Sequence, residues 1–476
     1  MVATKTSRSA KIRAQLKHPI VDSDGHLVEL HPVLVDYIKE IGGGDIARRY
    51  ESHPELRRWQ GKTVEERREI GAHITPWWVV PTRNALDRAT ASLPRLLEER
   101  MEELGLDFCV LYPTAGTVMP TIRDEEVRRV ACRAMNAYLA DLYGPYSRQM
   151  TPAAVILMDT PEIAIEELEY AVNTLGFKAS MVAGYVQRPI PKGETGRLDS
   201  EYIDTFGVDS PYDYDPFWAK CIELGVPPAS HSGGMGIGFR RSVWNYMYNH
   251  IGHFGAAGEA LCKSLFFSGV TRRFPNLNVA LLECGVGWAC DVYAGIVGRW
   301  EKRNVNAIHN MDPAVLDKET VIDLIARYGD RRVTEMLEPI RSSMDRPSPT
   351  PEDLDDWSQC GIERAEDIRD RFVPNFYFGC EADDPMNVWA FNDKVNPMGA
   401  RLNAILSSDI GHWDVPDMRE VVGEAYEAVE KELMTEDDFR DFVFANPVRL
   451  YGKMNPDFYK GTTVEAAAAK LLESES

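Results

Sequence analysis

The sequence predicts an α/β fold, a (β/α)8 TIM barrel with helical insertions. Three observations carry this reading. Short β-branched or apolar runs alternate with amphipathic stretches along the chain, and eight such runs can be counted. Strict alternation of that kind builds a parallel sheet. Metal-type residues then fall at the C-terminal ends of the first, fifth, sixth and eighth runs, and a closed ring gathers those ends at one mouth. A doubly wound open sheet is the competing arrangement.

Residues 1–18 are basic but carry no apolar segment and no small-residue cleavage site, so they read as a flexible, solvated N-terminal arm and not as a signal peptide. The barrel domain spans 19–455. Its strands are predicted at Pro19–Asp24, Asp107–Tyr112, Ala153–Met158, Phe177–Val182, Pro227–Ser232, Asn278–Cys284, Asn375–Cys380 and Leu402–Ser408. Helices are predicted at Ala85–Leu104, Glu125–Tyr143, Pro161–Leu175, Asp215–Leu224, Gly255–Arg272 and Trp288–Arg303. Asp159-Thr160 before Pro161 supplies an N-cap and first-turn proline, and Gly176 and Gly225 stand where helices hand over to strands. Segments 30–80, 187–214 and 305–373 exceed the basic repeat and read as insertions; the last, charged and helix-rich, would cover the mouth or build an oligomer contact. Residues 456–476 read as a helical tail.

Composition narrows the function. With 53 Lys plus Arg against 74 Asp plus Glu, the net charge is −21, which argues against a nucleic-acid partner. No apolar stretch approaches the roughly 18 to 20 residues of a membrane span. A cytoplasmic enzyme acting on a small molecule is the expectation. The eight cysteines lie in mostly apolar contexts without a C-x-x-C pair, so reduced, buried thiols are expected.

The chemistry is concentrated at strand ends. The first strand runs out through Asp22-Ser23-Asp24-Gly25-His26, and residues two apart on a strand share a side, so Asp24 and His26 can converge on one divalent ion, with Asp22 on the same row. An acid followed by glycine also suits an ordinary turn. The fifth strand ends in Ser230-His231-Ser232-Gly233, where an imidazole meets an open loop, although backbone groups could equally satisfy it. The eighth ends in Ser408-Asp409-Ile410-Gly411-His412, where Asp409 could ligate metal and accept a proton from water, or simply cap a helix. Together the three signals outweigh their separate ordinary readings. Aromatic groups at Trp77, Trp78 and Trp244 could wall a pocket or belong to the core, and Arg83 and Arg88 could hold a substrate carboxylate.

With these residues in view, the chain resembles the amidohydrolase superfamily, in the amidohydrolase-related branch that includes aminocarboxymuconate semialdehyde decarboxylase and the resorcylate-type decarboxylases. The matching text is Asp22–His26, Leu106–Pro113, Phe274–Gly285 with Trp288, and Ser408–His412. The resemblance implies a metal-dependent barrel, commonly a homodimer, with ligands Asp24, His26, His231 and Asp409. Two departures follow. Asp24 stands where the family's archetype has histidine, favouring Mn²⁺, Mg²⁺ or Fe²⁺ without excluding Zn²⁺. Glu283 stands where decarboxylases of the branch place a histidine; it could act as a general base, shuttle a proton, ligate a second ion or merely anchor the Gly285 turn. A second ion would draw on Glu283, His250, His253 and His412. The leading expectation is a hydrolase of a small apolar or aromatic carbonyl compound, with metal-activated water and Asp409, Glu283 and His412 as the proton-handling groups. The alternatives are a non-oxidative decarboxylase of an aromatic or unsaturated carboxylate, an iron oxygenase with one or two ions, and a catalytically silent scaffold.

Overall fold

The computed structural model of the chain describes residues 6–53, 58–76, 83–190 and 201–475. Its strands, in chain order, are β1 (Val21–Leu27), β2 (Phe108–Pro113), β3 (Met150–Ile156), β4 (Ala179–Val182), β5 (Val186–Pro189), β6 (Glu201–Asp204), β7 (Pro228–Ser230), β8 (Val279–Leu281), β9 (Phe376–Cys380) and β10 (Asn403–Leu406). All but β5 and β6 belong to a central ring of eight parallel strands, neighbours in the order β1-β2-β3-β4-β7-β8-β9-β10. Each ring strand overlaps one predicted run. Most of their residues are buried, as parallel strands covered by helices on the outside and side chains within must be. Adjacent strands pair parallel from β1 round to β10. The ring is completed where β10 runs out against β1: Asp409 N–H donates to Asp24 O at 3.1 Å and His26 N–H to Ile410 O at 2.8 Å.

The helices follow from local sequence. Asp124 caps Glu125–Tyr143, and Thr160 caps Pro161–Glu169, as the cap residues demand. Gly225 ends Asp215–Leu224 in the left-handed conformation that glycine adopts without strain. The single helix expected over Ala85–Leu104 is two, Ala85–Ser92 and Pro94–Leu104. Pro94 has no N–H to continue the ladder and pushes Leu93 into extended backbone.

Two other expectations are corrected. The N-terminal segment is not a flexible arm over Arg8–Gln15: Ser7 caps a helix there whose Ser9 and Ile12 are buried, with Ser9 Oγ accepting from Val422 and Gly423 N–H. The insertions are not all helical, because β5 and β6 form an antiparallel hairpin. The 305–373 insertion is helical, including Lys318–Tyr328 and Leu337–Ser343. The tail carries the helix Glu465–Glu475, held by Arg449 to Glu475. The eight cysteines form no disulfide, and all but the partly exposed Cys284 are buried. No helix among the described residues is long and apolar enough to cross a membrane.

Candidate metal centre at the barrel mouth

β1 supplies the first donors through an irregularity that periodicity does not reveal. Asp22 faces Cys109 and Gly25 faces Leu111, so β1 spends one more residue than β2 over this stretch. Asp22 therefore leaves the row it was expected to share with Asp24 and His26. It closes the ring instead, accepting from Ser408 N–H at 3.0 Å, from Asp24 N–H at 3.2 Å and from the Ser408 hydroxyl. Gly25 is required at the bulge: a Cβ there would stand 2.7 Å from Asp22 Oδ2 and 3.1 Å from Ile410 Cγ1.

Asp24 and His26 project into the mouth with His231. His26 Nε2 lies 3.1 Å from His231 Nε2 and 3.6 Å from Asp24 Oδ1, and His231 Nε2 lies 3.7 Å from Asp24 Oδ1. Donors bound to one ion at about 2.1 Å stand about 3.0 to 3.4 Å apart, so the group needs little contraction to close on a cation. Asp409 enters from the other side, its Oδ1 3.3 Å from His26 Nε2, and forms a second group with His26, Glu283 and His412. His26 thus belongs to both groups. His231 Nε2 is also 3.2 Å from Glu283 Oε2.

The surroundings orient these donors. His26 Nδ1 faces Tyr112 O at 3.2 Å, leaving Nε2 for the mouth, and the Ser407 hydroxyl donates to Asp24 Oδ2. His412 stacks on His26 with ring centroids 3.8 Å apart; its Nδ1 is 2.7 Å from Asp409 Oδ1 and its Nε2 3.0 Å from Thr114 Oγ1. The turn after β8 is anchored by Cys284 and Gly285 N–H on Gly379 O, at 3.1 and 2.9 Å. The Glu283 side chain has no part in that anchoring.

Burial dominates the electrostatics. Asp24, Glu283 and Asp409 are each pushed well above the usual carboxylate range, first by desolvation and then, for Glu283, by Asp414, Glu381 and Asp24. Burial draws His26 well below its ordinary value, His231 down to about 3 and His412 down to about 4. Burial thus favours the neutral imidazoles, whose lone pairs can bind metal. Asp24 Oδ1 and Glu283 Oε2 are buried without a hydrogen-bond partner. Buried polar atoms are normally satisfied, so orphaned oxygens beside neutral imidazoles fit a divalent cation.

A cavity of about 210 Å³ adjoins the cluster, lined by His250, His253, Phe254, Glu283, Glu381 and Asp384 among others. Glu283, Glu381 and Asp414 form a third group of donor atoms within 4.8 Å of one another. Sequence reasoning missed two of these, Glu381 and Asp414. The signal for Glu381 is its place directly after Cys380, the last residue of β9, a strand-end position like those of the other donors. His250 and His253 line the cavity without joining any such group. Trp244 is 64% exposed, and Arg83 and Arg88 are exposed, so the structure does not bring these three into the donor cluster. Trp77 and Trp78 lie outside the described residues.

The fold and mouth define a barrel enzyme with a metal-type donor cluster at the C-terminal strand ends. An amidohydrolase family model matches residues 69–333, more than half of the chain, and the chain belongs to that family. It is 26% identical over 196 residues to a gamma-resorcylate decarboxylase of Polaromonas sp. strain JS666; the match covers 39% of this chain and spans about half, 54%, of that enzyme. Among solved structures it is similar to a 2,6-dihydroxybenzoate decarboxylase from Rhizobium, with 16% identity, TM-score 0.49 and coverage of 91% of this chain and 98% of that one. A 5-carboxyvanillate decarboxylase from Sphingomonas paucimobilis gives 15% identity, TM-score 0.48 and coverage of 91% and 98%.

Proposed function

We propose that the chain is a metal-dependent, non-oxidative decarboxylase of a small aromatic or unsaturated carboxylate. The observation that carries this reading is the buried donor cluster of Asp24, His26, His231 and Asp409, with His26 3.1 to 3.6 Å from each of the other three. The likeness to a gamma-resorcylate decarboxylase supports loss of carbon dioxide over hydrolysis, the sequence-based first choice. No Lys or Arg lines the cavity among the described residues, so a bound cation is what would draw an anionic substrate into this acidic mouth.

A divalent ion held by Asp24, His26, His231 and Asp409 would supply Lewis acidity toward the substrate's oxygens. The chain's own groups manage the proton. The bond from ring carbon to carboxylate breaks, its electron pair stays on the ring carbon, carbon dioxide leaves, and that carbon takes one proton. Burial favours the protonated form of Glu283, and this group beside the cluster can give the proton directly or through a water that it orients. Glu283 lines the cavity, from which solvent can return the proton it gives, while His412 holds Asp409 at 2.7 Å and Thr114 at 3.0 Å.

Hydrolysis is the second reading, favoured by the carboxylate at position 283, which suits taking a proton from water. The test is the Mn²⁺-loaded full-length protein assayed against 2,6-dihydroxybenzoate and related hydroxybenzoates, and against aryl esters and lactones. Carbon dioxide released one for one with substrate loss is the expected result. Acid release from the esters or lactones without any carbon dioxide would replace this reading by the hydrolytic one.

A further inference from the structure

Five carboxylates, those of Asp24, Glu283, Glu381, Asp409 and Asp414, crowd the mouth. Among the described residues their ion-pair partners are histidines only, and no Lys or Arg neutralises any of them. One divalent ion balances only two carboxylates. The group Glu283, Glu381 and Asp414 is distinct from the group Asp24, His26 and His231, and Glu283 also belongs to the group containing His26 and Asp409. Glu283 therefore faces both sides. An observation independent of the acids points to a ligand here: His253 is 2% exposed, lines the same cavity as Glu283 and Glu381, and neither of its ring nitrogens has a hydrogen-bond partner. Buried imidazoles are ordinarily held by at least one such bond or by a metal. His250 completes the surround, its Nε2 4.0 Å from Asp414 Oδ2 and its ring centroid 5.1 Å from that of His253.

We propose that a second divalent cation binds beside the first, between Glu283, Glu381 and Asp414, with His253 on the wall of the adjoining cavity and Glu283 shared between the two ions. Three carboxylates suit Mn²⁺ or Fe²⁺ better than a thiolate-preferring ion. The shared Glu283 gives the acid at this strand end a reason that a mononuclear centre lacks. The sharing rests on the first site, but the three-carboxylate group stands on its own geometry.

The experiment uses the full-length protein, stripped with chelator, dialysed against Mn²⁺, and analysed by elemental mass spectrometry and electron paramagnetic resonance. Two ions per chain with an exchange-coupled signal are expected. The double variant Glu381→Gln, Asp414→Asn is expected to keep one ion and give the six-line signal of isolated Mn²⁺. One uncoupled ion in the wild type overturns the second site and leaves the first; no ion overturns both. Two ions retained in the double variant also overturn the ligand set. The wild-type spectrum decides the matter even where the variant fails to fold.

Discussion

Replacing Asp22 with alanine tests whether closure of the ring holds the metal centre in register. Asp22 is fully buried and accepts from Ser408 N–H, Asp24 N–H and the Ser408 hydroxyl. Alanine strands three buried donors, at about 1–3 kcal/mol each. Against this, burial pushes the Asp22 carboxyl up to about 6 from 3.8, so removing it returns about 3 kcal/mol at neutral pH. A net loss of about 3 kcal/mol remains. With an unfolding entropy of about 2.1 cal/mol/K per residue, a chain of this length has about 1 kcal/mol/K in total, and the melting temperature should fall by about 3 °C. The seam also places Asp24 against Asp409, so the Kd for Mn²⁺ should rise about 10- to 100-fold although Asp22 touches no ion. Asp22→Asn keeps an acceptor oxygen, loses the buried charge and should melt near the wild type. Calorimetric melting of the metal-free chain and Mn²⁺ titration read both effects. An alanine variant that melts with the wild type and binds Mn²⁺ equally well would refute the argument.

Four further outcomes are expected. His231→Ala should lose Mn²⁺ on gel filtration, and full retention would remove His231 from the ligand set. Glu283→Gln should lower kcat about 10²- to 10⁴-fold, the usual contribution of a positioned acid or base, while Mn²⁺ remains at the Asp24 group; an unchanged rate would return Glu283 to a structural role. Glu29 accepts Ala115 N–H on both oxygens, at 3.1 and 3.0 Å, and burial pushes it up to about 7 from 4.5. Its folded value lies above the unfolded one, so its contribution is full below pH 4.5 and is lost as pH rises through about 7. Because Glu29 is partly exposed, Glu29→Gln should gain only about 1–2 kcal/mol on the wild type between pH 5 and 8 in urea melts, and a constant difference would contradict this. A Cβ at Gly379 would stand 2.9 Å from Leu282 Cα and 3.1 Å from Glu283 N, backbone that cannot turn aside. Gly379→Ala should therefore cost about 1–3 kcal/mol and weaken Mn²⁺ binding, and a variant of native stability would show that the strand yields there.

The strands were legible because parallel barrel strands, covered on both faces, read as continuous apolar runs, and the convergence of Asp24, His26 and His231 was legible because strand ends are where a barrel gathers its side chains. What escaped was whatever depends on tertiary contact. The bulge that turns Asp22 from the metal row into the seam leaves no mark in the hydrophobic period. Glu381 stands directly after β9, yet Glu381-Ala382-Asp383-Asp384 reads as an acidic turn until Asp414 comes up beside it. The N-terminal helix buries only a narrow face through Ser9 and Ile12, so its basic composition dominates the pattern.

The two carboxylates that matter most in the cluster break a local rule in the same way. Glu283 and Asp409 hold left-handed backbone, φ 52° and 53°, and each is followed two residues later by a glycine at positive φ, Gly285 at 64° and Gly411 at 101°. The sixth and eighth barrel strands thus end in one conformation written twice, as Glu283-Cys284-Gly285 and Asp409-Ile410-Gly411. A non-glycine residue in that region costs about 1–2 kcal/mol, which glycine would relieve. Neighbouring strands impose the conformation: Gly379 O accepts from both Cys284 and Gly285 N–H, Asp24 O accepts from Asp409 N–H, and Ile410 O accepts from His26 N–H. The barrel therefore fixes where these acids point before any ion arrives. Acids stand at both positions where local backbone preference favours glycine, and such conflicts mark sites kept for their chemistry.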